Sequence, residues 1–221
     1  MSYILNIESS TTNCSISLAL DGKVIAIKEK NDESYSHSTE LHSFIDEVLK
    51  ESKVSNKELS AIAVSKGPGS YTGLRIGVAA AKGICYALDL PLISVSTLLI
   101  LAKQIKIDNG LIISVIDARR DEVYSAIFDS SYNFVRKSLP EIINKDSFQE
   151  LILTNKLFFI GNGQEKCMRL IENDSNLIFS SNDTFPSSKE MAALSFEKFK
   201  NSKFEDIAYF EPDYLKNFIP S

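Results

Sequence analysis

Apolar and polar residues alternate at the start of the chain, which is the pattern of half-buried β-strands. Residues 3–8 form an apolar segment that predicts a first strand, and every second residue from Cys14 to Leu20 is apolar. Asp21-Gly22 then supplies a two-residue hairpin turn of the kind that tolerates positive φ, so 24–28 is predicted to return as a third strand. The chain therefore opens on three consecutive strands.

The pattern then changes to the period of an α-helix. Apolar residues recur at i, i+3, i+4, i+7 and i+8 across 38–52, which predicts an amphipathic helix. A short strand at 61–65, a helix at 72–88, a strand at 92–95 and a helix at 97–106 follow. The predicted order of this half is βββαβαβα.

The second half of the chain repeats that order. A break at Asp108-Asn109-Gly110 separates the halves and predicts two lobes, 1–107 and 108–221, with the C-terminal segment packing back on the first. We predict an α/β fold of duplicated βββαβαβα, RNase H-like lobes, which is the order of the actin-like (ASKHA) class. The predicted strands of this half are 111–117, 123–128, 134–136, 158–160 and 177–179, and its helices begin near Asp146, at 164 and at 189.

Composition and charge narrow the class of protein. The chain has 221 residues, 44% hydrophobic and 24% charged, which is the mixture of a folded domain and excludes a disordered or fibrous protein. Its formal net charge of −5 argues against direct binding of nucleic acid. The longest apolar stretch, 90–102, is interrupted by Pro91 and is shorter than the roughly 20 residues of a membrane span. Since no basic leader precedes an apolar run at the N-terminus, we expect a cytoplasmic protein without membrane contact.

Cysteine and histidine are scarce. The three cysteines lie far apart and form no C-x-x-C motif, so neither a disulfide framework nor a zinc site is expected. His37 and His42 are the only histidines, and their spacing leaves them about 140° apart on a helix, too far for one metal ion. No H-E-x-x-H motif occurs either. We therefore expect no protease site, no metal site and no catalysis by histidine.

The segment Gly67-Pro68-Gly69-Ser70 connects a predicted strand to a predicted helix, a position where free backbone N–H groups bind anions. Two phosphate motifs nearly occur. A dinucleotide fingerprint needs glycine where Thr72 stands, and a Walker A loop needs lysine where Leu74 stands. A rigid loop whose glycines supply special backbone dihedrals is the alternative to an anion site.

The longest predicted helix carries charge only at Arg75 and Lys82, which lie on one face because they are seven residues apart. Its other faces are apolar, and small residues recur from Gly73 through Gly77 to Ala81. A helix that is apolar all round is buried on more than one side. Either this helix is central to the core, or a partner protein covers one of its sides.

Acidic residues end corresponding strands of the two halves, where actin-like ATPases bind phosphate. Glu8 precedes two serines and two threonines, and Asp117 precedes Ala118-Arg119-Arg120. Arginine stems obstruct the close approach of backbone to phosphate, although arginines themselves bind anions. The alternative function is an ATPase or phosphotransferase that uses a cleft between the lobes, with Glu8 and Asp117 on Mg²⁺. The candidate nucleotide or anion cleft comprises Glu8, Ser10, Thr11, Asp117, Arg119, Arg120, Gly161 and Gly163.

Several segments together resemble the TsaB (YeaZ) family of bacterial tRNA threonylcarbamoyladenosine biosynthesis proteins, which are non-catalytic relatives of TsaD. The similar segments are Ile7-Glu8-Ser9-Ser10 with Cys14-Ser15, 67–77, 94–98 and 116–124. The resemblance is dense up to about residue 128 and thins beyond it, where Pro212-Asp213-Tyr214-Leu215 is similar to the Pro-x-Tyr-Leu motif of the family.

The resemblance implies a partner of TsaD, the subunit that transfers a threonylcarbamoyl group to the tRNA adenosine next to the anticodon. TsaD holds its metal partly through a His-x-x-x-His pair, and in this sequence Thr97 and Leu101 stand at those positions. Because leucine has no donor atom, that metal site cannot form. The resemblance therefore implies an accessory subunit rather than an enzyme. It requires no cofactor and binds ATP, ADP or Mg²⁺ at most weakly.

The resemblance also implies how the subunit assembles. The helices at 38–52 and 72–88 are expected to form the interface with the TsaD-type subunit, and a TsaE-type ATPase joins the assembly. The chain alone is expected to form a homodimer through the same surface, and tRNA is contacted only through the complex. The expected interface residues are Leu41, Phe44, Ile45, Val48, Gly73, Arg75, Ile76, Gly77, Ala80, Ala81 and Ile84.

Overall fold

The structure, a computed structural model, describes residues 1–32, 37–180 and 184–216. The described residues form two compact units. The elements are, in chain order, β1 (Tyr3–Glu8), β2 (Asn13–Leu20), β3 (Lys23–Asn31), α1 (His37–Ser52), β4 (Leu59–Gly67), α2 (Tyr71–Leu88), β5 (Leu92–Ser96), α3 (Thr97–Ala102), β6 (Leu111–Asp117), β7 (Glu122–Phe128), β8 (Phe134–Ile142), α4 (Gln149–Ile152), β9 (Leu157–Ile160), α5 (Gln164–Leu170), β10 (Leu177–Phe179) and α6 (Ser188–Lys200). The predicted order, βββαβαβα twice, is confirmed.

Unit 1 comprises Met1–Ile100 and Pro186–Tyr214. Its sheet has the strand order β3-β2-β1-β4-β5, in which β1 to β3 are antiparallel and β4 and β5 run parallel to β1. Asp21 and Gly22 both have positive φ, as the predicted hairpin turn requires. Strand β1 therefore lies at the centre of the sheet, and its C-terminal end lies beside that of β4.

Successive residues of β1 point to opposite faces of this sheet, and each face has its own core. Leu5 and Ile7 pack with the apolar residues of α1 and α2. Ile4 packs on the other face with Met191 of α6. The sheet is thus covered by helices on both faces, which explains why its central strands are almost wholly apolar.

Unit 2 comprises Leu101–Phe185 and the described residues that follow Tyr214. Its sheet has the order β10-β9-β6-β7-β8, which, taken in reverse, matches the order of unit 1 strand for strand. Its core combines β6 residues such as Ile113 and Val115 with Phe159 of β9 and Cys167 of α5. The duplicated α/β, actin-like (ASKHA-type) fold is therefore present in both units.

The structure corrects the length of several predicted elements. Strands β3 and β4 extend beyond the predicted 24–28 and 61–65, to Lys23–Asn31 and Leu59–Gly67. Strand β8 extends to Ile142 instead of ending at 136, because its second half continues to pair with β7. Helix α3 ends at Ala102 instead of 106. Helix α4 is a single turn that begins at Gln149, and Asp146 accepts a hydrogen bond from the Gln149 side chain without capping the backbone.

The units are not divided where the predicted lobes are. Unit 2 begins at Leu101, within α3, instead of at 108, whereas α6 belongs to unit 1, in keeping with the expected return of the C-terminal segment to the first lobe. The physical reason is that Met191, Leu194 and Phe196 of α6 pack on the sheet of unit 1. Ser187 caps α6 by accepting a hydrogen bond from the backbone N–H of Lys189. Within the described residues, no helix has the length and apolar character needed to cross a membrane.

Candidate functional site

The turn that follows β1 holds a buried carboxylate. Glu8 is fully buried, and its Oε1 accepts a hydrogen bond of 2.6 Å from the backbone N–H of Ser10. Burial raises the pKa of Glu8 from its ordinary 4.5 to about 7, against the opposing effect of the hydrogen bond from Ser10. Near neutral pH a large fraction of this side chain is therefore uncharged.

The Gly-Pro-Gly loop that precedes α2 is packed against this same turn. The backbone N–H of Ser70 donates to the carbonyl of Ser10 over 2.6 Å. A Cβ at Gly69 would overlap that carbonyl, so only glycine permits so close an approach. Gly69 thus serves contact between two segments of the chain, whereas Gly67, with a φ of +103°, has the special backbone dihedral that the rigid-loop alternative predicted.

The first turn of α2 uses its backbone donors internally. The side chain of Ser70 accepts a hydrogen bond from the N–H of Gly73, and the carbonyl of Ser70 accepts one from Leu74. The hydroxyl of Ser9 donates to the carbonyl of Gly73 over 2.9 Å. These bonds join the turn after β1, the loop and the helix into one packed cluster. Because these backbone N–H groups already have acceptors within the chain, fewer of them remain free to bind an anion than the sequence suggested.

The residues of the candidate cleft in unit 1 fit a nucleotide and its magnesium ion poorly. Ser10 is fully buried and Thr11 is 5% exposed. Glu8 has one carboxylate oxygen committed to the Ser10 N–H, and its raised pKa weakens it as a ligand for a divalent cation. Unit 1 therefore contributes a filled turn where a phosphate loop would need open backbone.

The corresponding residues of unit 2 surround an ion pair. Asp117 accepts a hydrogen bond of 3.0 Å from Nζ of Lys166, which is nearly buried and also donates to the carbonyl of Glu122. Arg119 and Arg120 both have positive φ, in the turn that follows Asp117. Since a lysine already neutralises Asp117, this carboxylate is a weak candidate for Mg²⁺.

Gly161 and Gly163 have a packing role in unit 2. A Cβ at Gly161, whose φ is +116°, would overlap the carbonyl of Val115. At Gly163 it would lie 3.1 Å from the carbonyl carbon of Ile116. The two glycines allow the loop after β9 to lie directly on β6, which is a structural explanation for their presence.

The apolar face of α1 points inward. Leu41, Ile45 and Val48 are buried, and Phe44 is half-buried, in the core that α1 shares with the sheet of unit 1. These four expected interface residues therefore stabilise their own unit, and His42 lies on the exposed side of the helix. The side chain of His37 lies outside the described residues.

Helix α2 has an inner and an outer face, and most of the expected interface residues lie on the inner one. Gly73, Gly77, Ala80 and Ala81 are buried, and Ile76 and Ile84 are half-buried against the core. A Cβ at Gly77 would collide with the hydroxyl of Ser9. The stripe of small residues thus serves the approach of α2 to its own sheet, which is the central-core interpretation of this helix, and its part in a partner surface stays a prediction.

Arg75 alone among the expected α2 residues is on the exposed face. That outer face consists of Thr72, Arg75, Ala79, Gly83 and Tyr86, and Tyr86 is 86% exposed. A Cβ at Gly83 would meet no atom within 4 Å. The outer face has small residues at its middle and an arginine and a tyrosine toward its ends, which are residue types that dominate the energy of protein interfaces.

A segment that the hydrophobic pattern did not resolve runs beside this outer face. Residues 205–214, hereafter the strap, start with a bridge from Glu205 to Leu92 of β5. Lys82 then donates to the carbonyls of Ala208 and Phe210 over 3.3 and 3.1 Å. The segment has no helix or strand period because it is irregular beyond the bridge at Glu205, with Ile207 and Phe210 packed against the core of unit 1. Pro212-Asp213-Tyr214 was the signal in the sequence that pointed to it.

The strap ends on the loop and first turn of α2. The carboxylate of Asp213 pairs with Lys66 over 2.9 Å, and its backbone N–H donates to the Lys66 carbonyl. The ring of Tyr214 lies 4.9 Å from that of Tyr71, and its hydroxyl accepts a hydrogen bond of 3.3 Å from Nε of Arg75. The outer face of α2 and the strap therefore form one composite surface.

Groups that carry redox or metal chemistry are not assembled elsewhere in the described part of the chain. Cys14, Cys85 and Cys167 are buried and free, and burial raises the pKa of each thiol to about 12. Among the residues that the structure describes, no three histidine, cysteine or acidic side chains lie together as a metal site.

Known proteins share this fold and much of this sequence. The family model for TsaD, tRNA N6-adenosine threonylcarbamoyltransferase, matches residues 26–218. The TsaB protein of Buchnera aphidicola subsp. Baizongia pistaciae is 34% identical over 96% of this chain and 97% of its own. The TsaB protein of Escherichia coli K12 is 29% identical over 97% and 94%. Both carry the description tRNA threonylcarbamoyladenosine biosynthesis protein.

One solved structure superimposes over nearly the whole chain. It is the crystal structure of a Pseudomonas aeruginosa protein described as similar to the peptidase YEAZ, with a TM-score of 0.86. It shares 23% sequence identity and covers 98% of this chain and 100% of that one. At this identity the match supports the fold.

Proposed function

This chain belongs to the TsaB family of tRNA threonylcarbamoyladenosine biosynthesis proteins, and we propose that within it the chain is a non-catalytic scaffold subunit. It pairs with a TsaD-type catalytic subunit that transfers threonylcarbamoyl to the tRNA adenosine next to the anticodon. It also supports binding of a TsaE-type ATPase. The tRNA is contacted only through the complex, in the cytoplasm.

The observation that carries this proposal is in α3. Thr97 and Leu101 stand where the resemblance to TsaD puts a pair of metal-binding histidines, and both are fully buried on this helix. Leu101 presents only carbon atoms and cannot ligate a metal ion. The chain thus has the fold of its catalytic relative but lacks a metal-binding atom at position 101, where that relative is expected to hold its metal.

The two carboxylates that would hold the Mg²⁺ of a bound nucleotide are also poorly suited to that role. Glu8 is buried with a raised pKa, and Asp117 is paired with Lys166. Neither carboxylate is a free, ionised ligand of the kind Mg²⁺ prefers. A requirement for a cofactor is therefore not part of the proposed function, and the contacts of Glu8 and Asp117 do not favour the rival ATPase or phosphotransferase.

A reconstitution experiment tests the proposal. Threonylcarbamoyl transfer to tRNA is measured with purified TsaD-type and TsaE-type subunits, with and without this chain. We expect transfer to require the chain although the chain alone catalyses no transfer. Transfer at the full rate without it would contradict a scaffold function. ATP turnover by the isolated chain that is lost in Asp117→Ala would favour the rival enzyme.

A second experiment locates the partner surface. Gly83→Arg places a bulky side chain on the outer face of α2 at a position with open space, so the fold is expected to tolerate it. We expect this variant to lose association with the TsaD-type subunit and with a second copy of itself. Gly77→Arg is unsuitable for this purpose, because it would disrupt the packing against Ser9 before it affected any partner. Unchanged association of Gly83→Arg would remove this face from the interface.

A further inference from the structure

Both basic side chains of α2 lie along the strap, and neither is neutralised there. Nε of Arg75 donates to the hydroxyl of Tyr214, and the guanidinium lies 4.3 Å from the centre of the Tyr71 ring. Nζ of Lys82 donates to two backbone carbonyls, those of Ala208 and Phe210. All of these hydrogen-bond and ring partners are uncharged, so neither side chain forms an ion pair with the described residues of the strap.

The acidic residues of the strap are engaged elsewhere or stand apart. Glu205 accepts a hydrogen bond from Ser94, and Asp206 accepts bonds from the backbone N–H groups of Ala208 and Tyr209. Asp213 pairs with Lys66. Glu211 acts on Arg75 through its charge. Across the described residues, however, no carboxylate lies within ion-pair distance of Arg75 or Lys82.

The strap also fixes the direction of the guanidinium. Contact with the Tyr71 ring holds its plane, and the bond from Nε to Tyr214 holds its edge. The two terminal nitrogens have no hydrogen-bond partner among the described side chains and backbone. An arginine held in this way offers a pair of parallel donors, which is the geometry that matches a carboxylate.

We propose that the strap presents Arg75 to an acidic side chain on the proposed catalytic partner, and that this charge makes the surface select that partner over a second copy of this chain. The inference rests on the proposed function. Tyr214 is a positioning residue, because it acts on the partner through Arg75. Lys82 adds a second positive charge about two helical turns away on the same face.

The charge on α2 is the reason for selecting a different subunit. The charged residues within α2 are Arg75 and Lys82, and both are basic. A two-fold homodimer contributes the same α2 helix from both sides of the interface, so every charge that α2 itself brings to that interface is positive. Like charges across an interface oppose association, whereas a partner with acidic residues opposite Arg75 is favoured in both rate and affinity.

The test measures two associations with the full-length chain. The affinity for the TsaD-type subunit is measured by calorimetry, and self-association by sedimentation equilibrium, each at low and high salt. The variants are Arg75→Glu, Tyr214→Ala and Tyr214→Phe. Lys23→Glu is the control, because it changes the net charge by the same amount. It lies on the edge strand β3, three positions along the sheet from β4, the strand that leads into α2. Thermal unfolding confirms that each variant is folded.

We expect Arg75→Glu to weaken the heteromeric complex by more than tenfold and to leave self-association unchanged or stronger. Tyr214→Ala should weaken the heteromeric complex several-fold, and Tyr214→Phe, which keeps the ring contact with Tyr71, should weaken it less. Combining Tyr214→Ala with Arg75→Glu should add little to the effect of Arg75→Glu alone, because both act through one guanidinium. High salt should weaken the heteromeric complex more than the homodimer. Lys23→Glu should resemble the wild type in both assays.

Four outcomes would overturn the inference. Equal loss of both associations in Arg75→Glu would make the residue a general contact without selectivity. An unchanged heteromeric affinity would show that no acidic group faces Arg75, and reduced retention of tRNA by that variant alone would assign the surface to nucleic acid. If the wild-type chain itself did not bind the TsaD-type subunit, the proposed function would fail and the inference with it.

Discussion

Gly77→Ala and Gly83→Ala add the same methyl group to α2, and the structure predicts opposite effects on stability. A Cβ at Gly77 would collide with the hydroxyl of Ser9 and lie 3.5 Å from Cγ2 of Ile7. Ser9 is fully buried, so its hydroxyl has little room to move. At Gly83 a Cβ would meet no heavy atom within 4 Å. The two positions therefore separate helix propensity from packing within a single helix.

The expected magnitudes follow from three contributions. Replacing glycine by alanine inside a helix gains about 0.8–1 kcal/mol at either position. At Gly77 the Ser9 hydroxyl must turn away and lose its bond to the Gly73 carbonyl, which costs about 1 kcal/mol. Overpacking a buried site costs a further 1–3 kcal/mol or so. Gly83→Ala should therefore raise the free energy of unfolding by about 1 kcal/mol, and Gly77→Ala should lower it by about 1–3 kcal/mol.

Urea denaturation of the variants at one protein concentration is the assay, because self-association would otherwise shift the apparent stability. Ser9→Ala removes the colliding hydroxyl and alone should cost about 1 kcal/mol. The double variant Ser9→Ala with Gly77→Ala should recover close to wild-type stability. The added Cβ would then lie 3.4 Å from the Cβ of residue 9, which is an ordinary contact. Equal stability of Gly77→Ala and Gly83→Ala, or no recovery in the double variant, would refute the packing of α2 on Ser9.

Three further predictions concern the buried charges and the loop of unit 2. The raised pKa of Glu8 means that the folded state binds a proton that the unfolded state releases between pH 4.5 and about 7. Its contribution therefore lowers stability as pH rises through that window, by about 3 kcal/mol in total. Glu8→Gln should remove this slope from the difference between pH 5 and pH 8 denaturation curves, and identical slopes would show that Glu8 titrates normally. Asp117→Asn should cost about 1–2 kcal/mol, because Lys166 is nearly buried but keeps its bond to the Glu122 carbonyl. A loss below the error of a urea melt would mean that the pair is not formed. Gly161→Ala should cost at least about 3 kcal/mol through its φ and its contact with Val115, seen as a lowered melting temperature, and normal melting would contradict the close approach of this loop to β6.

The order of elements was predictable because each depends on short-range patterns. The period of 2 in β2, the Asp21-Gly22 turn and the period of 3.6 in α1 all recur in the structure. The duplication followed from the same patterns repeated. Elements whose length depends on a neighbour were less predictable. Strand β8 continues past Arg136 because β7 is available for pairing. The residue pattern of β8 alone does not predict this extension.

The functional positions divide in a similar way. The resemblance to the TsaB family, and the leucine at position 101, are properties of residue identity and needed no coordinates. The interface was different. Sequence periodicity placed Gly73, Gly77 and Ala81 on one stripe of α2. It did not indicate whether that stripe packs against the sheet of its own unit or against a partner protein. The packing of Ser9 against Gly77 decides that the stripe faces inward.

The sequence by itself determined the two βββαβαβα halves, the family and the absence of a metal donor at Leu101, because these depend on local periodicity and on which atoms a side chain has. Only the tertiary structure decided which face of α2 is exposed and that the strap lies beside it, with its contacts to Arg75 and Lys82. Those facts depend on contacts between segments more than a hundred residues apart, such as Arg75 with Tyr214. Local patterns predict that a residue will be buried. Which distant segment of the chain covers it depends on how the elements pack together.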